Sequence, residues 1–185
     1  MKLLKFTLIA LLFSAVIASC QKDAQSTDGS LTKTGIKADT SDNSGNFFAS
    51  KGTLTIEVDD STYTFDAAKD SIAFINVNID SNKYYGLTAI NKAHTVSFGI
   101  SSLGFASPDL KNTIAGGQLL VTADGKNTRQ YALSTEAGNN PSNAIYLEQY
   151  MQDSVLTKGT FTTLMSKKGT QAAQVVTGSF NLQRK

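Results

Sequence analysis

The chain has 185 residues, with 17 basic side chains against 15 acidic ones, a single histidine, a single cysteine and no tryptophan. One cysteine excludes an intramolecular disulfide, and one histidine beside it excludes zinc centres built from His and Cys ligands. Lys and Arg form no cluster, so the chain lacks the basic footprint that nucleic acid requires.

Lys2 and Lys5 precede an apolar stretch from Phe6 to Ile17 that closes on Ala18, Ser19 and Cys20. This is the order of an export signal: charge, apolar run, small residues. A membrane-spanning helix needs about 20 apolar residues. Here Gln21, Lys22 and Asp23 follow at once, so residues 1–19 are expected to be removed and not to span. Ile17-Ala18-Ser19-Cys20 resembles the bacterial lipobox. That resemblance implies that Cys20 is acylated and becomes the new N-terminus. Each buried acyl CH₂ contributes about 0.8 kcal/mol, and one chain alone holds only marginally. The three chains usual on such lipoproteins would therefore anchor the protein durably, with the membrane as its partner through Cys20. Loss of Lys2 and Lys5 leaves 15 basic against 15 acidic residues, a net charge near zero.

Gln21-Lys22-Asp23 resembles the lysine-plus-acid signal that sends Bacteroidetes-type lipoproteins to the outer face of the outer membrane. That signal usually carries a second acid where this chain has Ala24. The expected address is thus the outer membrane, on its surface or its periplasmic face. Residues 20–50 read as the lipidated cysteine and a flexible tether. Ser, Thr, Asp, Gly and Lys dominate there, and Leu31, Ile36, Phe47 and Phe48 are the sizeable apolar groups, too few for a core. A coil of this length reaches about 30 Å, and Phe47 and Phe48 mark where order should begin.

Residues 51–185 alternate apolar and polar side chains with the period of a half-buried strand. Leu54, Ile56 and Val58 share one face, Asp59-Asp60-Ser61 turns the chain, and Tyr63 and Phe65 return it. Ile72, Phe74, Ile75, Val77 and Ile79 predict a strand buried on both faces, ended by Asp80-Ser81-Asn82. Tyr85, Leu87 and Ala89 alternate next, and His94, Val96, Phe98 and Ile100 follow as one face of a strand. Residues 107–115 are the only candidate for a helical turn. Leu119, Val121 and Ala123 run into Asp124-Gly125, a type I′ hairpin signal, with Tyr131 and Leu133 on the return. Gly138-Asn139-Asn140-Pro141 reads as a loop. Residues 144–150 and 154–166 supply strands, and Val176, Gly178, Phe180 and Leu182 close the chain. Some nine or ten strands of this kind predict an all-β domain, an antiparallel β-sandwich or a closed up-and-down, lipocalin-like β-barrel.

Gly159-Thr160-Phe161 and Thr177-Gly178-Ser179-Phe180-Asn181 resemble the paired closing strands of small β-sandwich lipoproteins of unknown function in Bacteroidetes-type bacteria. Gly117-Gln118-Leu119-Leu120 and Ala144-Ile145-Tyr146 loosely match the strands before them. The tryptophan that often follows the first hairpin in that family is missing here, where Tyr63 and Phe65 stand. The resemblance implies a sandwich and an envelope address and brings no catalytic residues.

Nucleophilic hydrolysis needs an imidazole as base, and His94 is the one candidate, placed by its pattern in an ordinary strand. Paired carboxylates for glycoside hydrolysis would come from Glu57, Asp59, Asp60, Asp66, Asp70, Asp80, Glu136 or Glu148. The aspartates fall mostly in turns, where Asp serves local backbone bonding. Asp59 with Asp60, or Asp80 with Asn82, lacks the spacing of a calcium loop. Gly104, Gly116 and Gly117 open no phosphate-binding loop. No catalytic residue, metal site or cofactor is expected. The remaining candidates are tyrosines that could stack on a sugar: Tyr84, out of phase with Tyr85 and Leu87, together with Tyr146 and Tyr150. The reading is a lipid-anchored, non-enzymatic binding or structural module. A carbohydrate or small-ligand binder of a nutrient-uptake system is the alternative, and a weak glycan hydrolase using Glu136 or Glu148 is the third. A glycan or an envelope protein is the expected partner.

Overall fold

Apolar residues at every second position leave the backbone one economical way to satisfy its N–H and C=O groups, which is pairing between strands. A computed structural model describes residues 38–39, 47–79, 81–122, 125–151, 156–170 and 172–184. The leader, Cys20 and most of the tether lie outside the described residues. The strands are β1 (Ala38–Asp39), β2 (Phe47–Phe48), β3 (Lys51–Val58), β4 (Ser61–Asp66), β5 (Ser71–Ile79), β6 (Asn82–Ile90) and β7 (Val96–Leu103). They continue as β8 (Leu110–Asn112), β9 (Ile114–Thr122), β10 (Thr128–Leu133), β11 (Ala144–Met151), β12 (Leu156–Lys167) and β13 (Ala173–Gln183).

All pairings are antiparallel, in the order β1-β5-β6-β7-β9-β10-β12-β13-β3-β4. The fold is therefore all-β, and the sheet curls into a half-barrel. Its curl is tied by one stretch of chain. Phe47 and Phe48 pair with Phe74 and Ala73 of β5, the Ala49 N–H donates to Ile72 O at 2.9 Å, and the Ser50 N–H donates to Gln183 O at 2.9 Å. From Lys51 to Glu57 the same chain pairs with β13. One bent strand thus links β5 to β13, near opposite ends of the order. Phe47 is buried and stacks on Phe74 at 5.5 Å, so the sheet gains core residues from the last part of the expected tether. Chain contacts group Ile36–Lys185 into one compact unit, large enough for its own core.

The alternations place the core as expected. Leu54, Ile56, Val58 and Phe65 of the first hairpin are buried, as are Tyr85, Leu87, Ala89, Phe98, Ile100, Leu119, Val121, Val176, Phe180 and Leu182. Asp59 and Asp60 both adopt left-handed backbone, with φ of 50° and 56°, which matches the twist of a two-residue hairpin. Asp59 rather than glycine serves there because its Oδ2 accepts a 2.7 Å bond from the buried Tyr131 hydroxyl. At the β4–β5 corner, Asp70 accepts from the Asp66 N–H at 2.8 Å and from the Lys92 N–H at 2.8 Å. Asp66 and Asp70 thus hold backbone, and Asp59 holds a buried phenol.

The two Gly-x-Phe motifs of the closing strands meet. Gly159 lies opposite Phe180, and Phe161 opposite Gly178. Each ring covers the bare backbone of the facing glycine, a reciprocal arrangement that only a missing Cβ permits.

Three expectations differ from the structure. Residues 107–115 form no helical turn: β8 pairs with β11 through Leu110–Leu147 and Asn112–Ile145, and among the described residues a short helical turn lies at Ala137–Asn139 instead. His94 stands in an exposed turn with φ of 55°, before β7 begins. Asn91 decides this, since its Oδ1 accepts from the N–H groups of Thr95 and Val96 at 2.8 and 2.9 Å and draws the backbone out of the ladder. Ile75, Val77 and Ile79 face outward from β5 and are only half-buried. Asp80 and Asp124, and with Asp124 the type I′ turn, fall outside the described residues. The two hairpins they concern are present, closing at Ile79 with Asn82 and at Thr122 with Thr128.

Candidate functional site

The half-barrel has two outer sides of different chemistry. On one, pairing sets Thr160, Ser179, Thr55 and Thr64 in a row across β12, β13, β3 and β4, beside a second row of Thr162, Thr177, Glu57 and Thr62. Thr177 Oγ1 donates to Glu57 Oε2 at 3.4 Å within it. On the other side, Ile75, Val77 and Ile79 of β5 and Tyr84 of β6 turn outward and line a shallow groove of about 270 Å³, with Ile90 and Leu103 outward but beyond it.

Beside the hydroxyl rows, β8 and the 138–143 loop frame a polar cleft. One lobe of about 370 Å³ is lined by Lys111, Asn112, Thr113, Asn139 and Asn140, among others. A second, of about 510 Å³, adds Ser142, Tyr146, Thr160 and Thr162, and the lobes meet at Lys111, Pro141 and Ala144. Non-local pairing makes the cleft: Tyr146 lies between Lys111 of β8 and Thr160 of β12. Its loop is pinned from beneath by Asn143, which is buried, donates to Ile114 O at 3.0 Å and accepts from Thr163 Oγ1 at 2.8 Å. Asn140 Oδ1 accepts the Ser142 N–H at 2.8 Å and closes the loop. Amides, hydroxyls and an ammonium around a partly exposed aromatic ring can bind a polyhydroxylated ligand by hydrogen bonding and stacking.

The three candidate tyrosines do not come together. Tyr146, 36% exposed, stands in the wall of the polar cleft. Tyr84 lines the apolar groove. Tyr150 is a core residue, 5.5 Å from the Phe74 ring, its hydroxyl accepting from Asn76 Nδ2 at 3.2 Å. By alternation Tyr150 would share the outward face of Tyr146, but the ladder shifts register between Leu147 and Gln149. That bulge at Glu148 reverses the phase and turns Tyr150 inward. Burial also raises its phenol pKa, against the opposing pull of Asn76.

Of the candidate carboxylates, Glu148 forms an ion pair with Lys158 Nζ at 2.7 Å, and Glu136 is exposed at the start of the Ala137–Asn139 turn without a side-chain cap bond; neither lines the cleft. Among the described residues no three His, Cys, Asp or Glu side chains gather as a metal-ligand set, and no helix is long and apolar enough to cross a membrane. Sequence reasoning missed Lys111, Asn112, Asn139 and Asn140; the density of asparagine before Pro141 was the signal that could have found them. No protein-family model, curated protein or solved structure matches the chain.

Proposed function

We propose that this protein is a lipid-anchored, non-enzymatic binding module of the cell envelope, held at the outer membrane through acylated Cys20, akin to the β-sandwich lipoproteins of Bacteroidetes-type bacteria. The cleft around Tyr146 is its ligand site, and a glycan is the ligand class. The observation that carries the reading is the cleft itself, where a partly exposed tyrosine stands among Lys111, Asn139, Asn140, Thr160 and Thr162. Sugars are recognised by such a mixture, since each hydroxyl takes a donor or acceptor and the ring face takes an aromatic. The pairing of Glu148 with Lys158, the bonds held by Asp59, Asp66 and Asp70, and the position of Glu136 away from the cleft favour binding over hydrolysis. The Phe6–Ile17 run ending at Cys20 supports the anchor.

A glycan array tests the ligand class. Binding of at least one glycan, weakened about tenfold or more by Tyr146→Ala while Tyr84→Ala leaves it unchanged, is the expected result. Failure of every glycan to bind, or binding indifferent to Tyr146→Ala, would refute the assignment of the cleft.

A further inference from the structure

Among all residues of β5, β6 and β7 the only charged side chain is Lys83, and their outward positions carry none. Towards one end they present Ile75, Val77, Ile79, Tyr84 and Leu103, the last 53% exposed, while Thr88, Ser97 and Ser101 make the rest of the face more polar around an isolated Ile90. A strand with one wet face has no reason to place isoleucine and valine there. All described strands belong to one sheet, so among the described residues no second layer of strands covers this face. The outward positions of β12, β13, β3 and β4, on another part of the same outer face, are rich in threonine and serine, so that face is chemically polarised along the strand order.

We propose that the outward face of β5–β7 is a membrane-seating surface that rests in the headgroup boundary of a phospholipid bilayer. The proposal builds on the Cys20 anchor, and three observations select a lipid surface as the occupant. The chain arriving from Cys20 joins the domain at the border of this face, where Ala38 pairs with Ile79 and Asp39 with Asn78 of β5. Only residues 21–37 intervene, a length that spans at most about 60 Å. Secondly, at the end of β6 next to Tyr84 and Leu103, Lys83 extends from the other side of the strand with its Nζ 4.6 Å over the Phe105 ring, a charge and a ring at the edge of the face. Lysine and aromatic rings are the residues that sit at the headgroup level, the ammonium toward phosphate and the rings toward the acyl boundary. Thirdly, three strands of eight or nine residues present on the order of 400 Å². A stable dimer buries about 800 Å² on each partner, so a second copy is poorly served by this face. A bilayer, which needs no shape-matched boundary, is well served by it. Seated in this way, the protein keeps its hydroxyl side in water.

The chain beginning at Cys20 retains the whole described sheet and core. Its single thiol can be coupled to a maleimide lipid in vesicles of phosphatidylcholine and phosphatidylglycerol, with or without brominated acyl chains. Because the native chain has no tryptophan, Leu103→Trp reports on this face alone, and Val175→Trp, at a position 58% exposed on the hydroxyl side, is the control. Both positions are solvent-facing, and circular dichroism verifies the fold of each variant. The expected result is that Leu103→Trp fluorescence is blue-shifted and quenched by bromine several-fold more than Val175→Trp. Adding Val77→Asp to Leu103→Trp should abolish the difference. Equal quenching at the two positions, or none at either, overturns the proposal. A blue shift of Leu103→Trp that rises with protein concentration in lipid-free solution overturns it in favour of a second copy. Because the lipid is attached chemically, a negative result counts against the face alone and leaves cellular acylation of Cys20 to be judged separately.

Discussion

Gly178→Ala should destabilise the domain through one identifiable collision. A Cβ on Gly178 would drive into the Phe161 ring on one side and the Thr55 carbonyl on the other. Phe161 has little room to retreat, since it is buried and stacks on Phe98 at 5.3 Å. The Thr55 carbonyl belongs to the β3–β13 ladder, where Thr55 lies opposite Ser179, and is equally fixed. Overpacking of this kind costs about 1–3 kcal/mol. For a domain of this size that corresponds to a fall in Tm of about 2–12 °C. Urea unfolding followed by circular dichroism measures it, with Gly138→Ala as control because nothing lies within 4 Å of a Cβ there. Trimming the obstructing ring should relieve the strain, so Phe161→Leu combined with Gly178→Ala should cost less than the two changes added, by about 0.5 kcal/mol or more. A Gly178→Ala protein as stable as Gly138→Ala, or strict additivity with Phe161→Leu, would refute the reciprocal glycine–aromatic packing.

Stability should fall at alkaline pH for a stated reason. Burial pushes the Tyr85 phenol up to about 12, and burial with the Asp59 carboxylate does the same to Tyr131. Below the unfolded value near 10 both states hold these protons and the stabilising contribution is complete. Between about pH 10 and 12 only the unfolded state releases them, so stability should drop by up to about 1.4 kcal/mol per pH unit for each tyrosine. Urea midpoints at rising pH follow the loss, and Tyr131→Phe should reduce the slope; a flat profile contradicts the burial of both phenols. Asn76→Ala should cost about 2–3 kcal/mol, because it strips the Tyr150 hydroxyl and the Ala106 N–H of a buried partner. Chemical denaturation measures this, and a cost under about 0.5 kcal/mol would place Asn76 outside the core network.

Local alternation made most of the sheet legible before any coordinates. Tyr85, Leu87 and Ala89 could be assigned to one buried face because nothing interrupts β6, and Asp59-Asp60 could be assigned to a turn because both residues tolerate left-handed backbone. What escaped was decided elsewhere in the chain. Tyr150 turned inward because of a bulge three residues after the point where its phase was fixed by Ile145, and bulges leave no mark in an alternation count. His94 left the strand pattern through the side chain of Asn91. The cleft was invisible because Lys111 and Tyr146 meet only through the pairing of β8 with β11, and a three-residue strand such as β8 carries too few alternations to announce itself. Ile75, Val77 and Ile79 suggested burial on both faces of β5, but an apolar run does not say what covers it, and among the described residues no second strand layer does, which leaves the three half-buried.

The anchor is the premise shared by the envelope address and the seated face, and intact-mass spectrometry of protein extracted from native membranes tests it most directly. A chain beginning at Cys20, heavier by a diacylglyceryl thioether and an amide-linked acyl group, is the predicted species. A free Cys20 thiol with residues 1–19 still attached, or cleavage at another position, would contradict it.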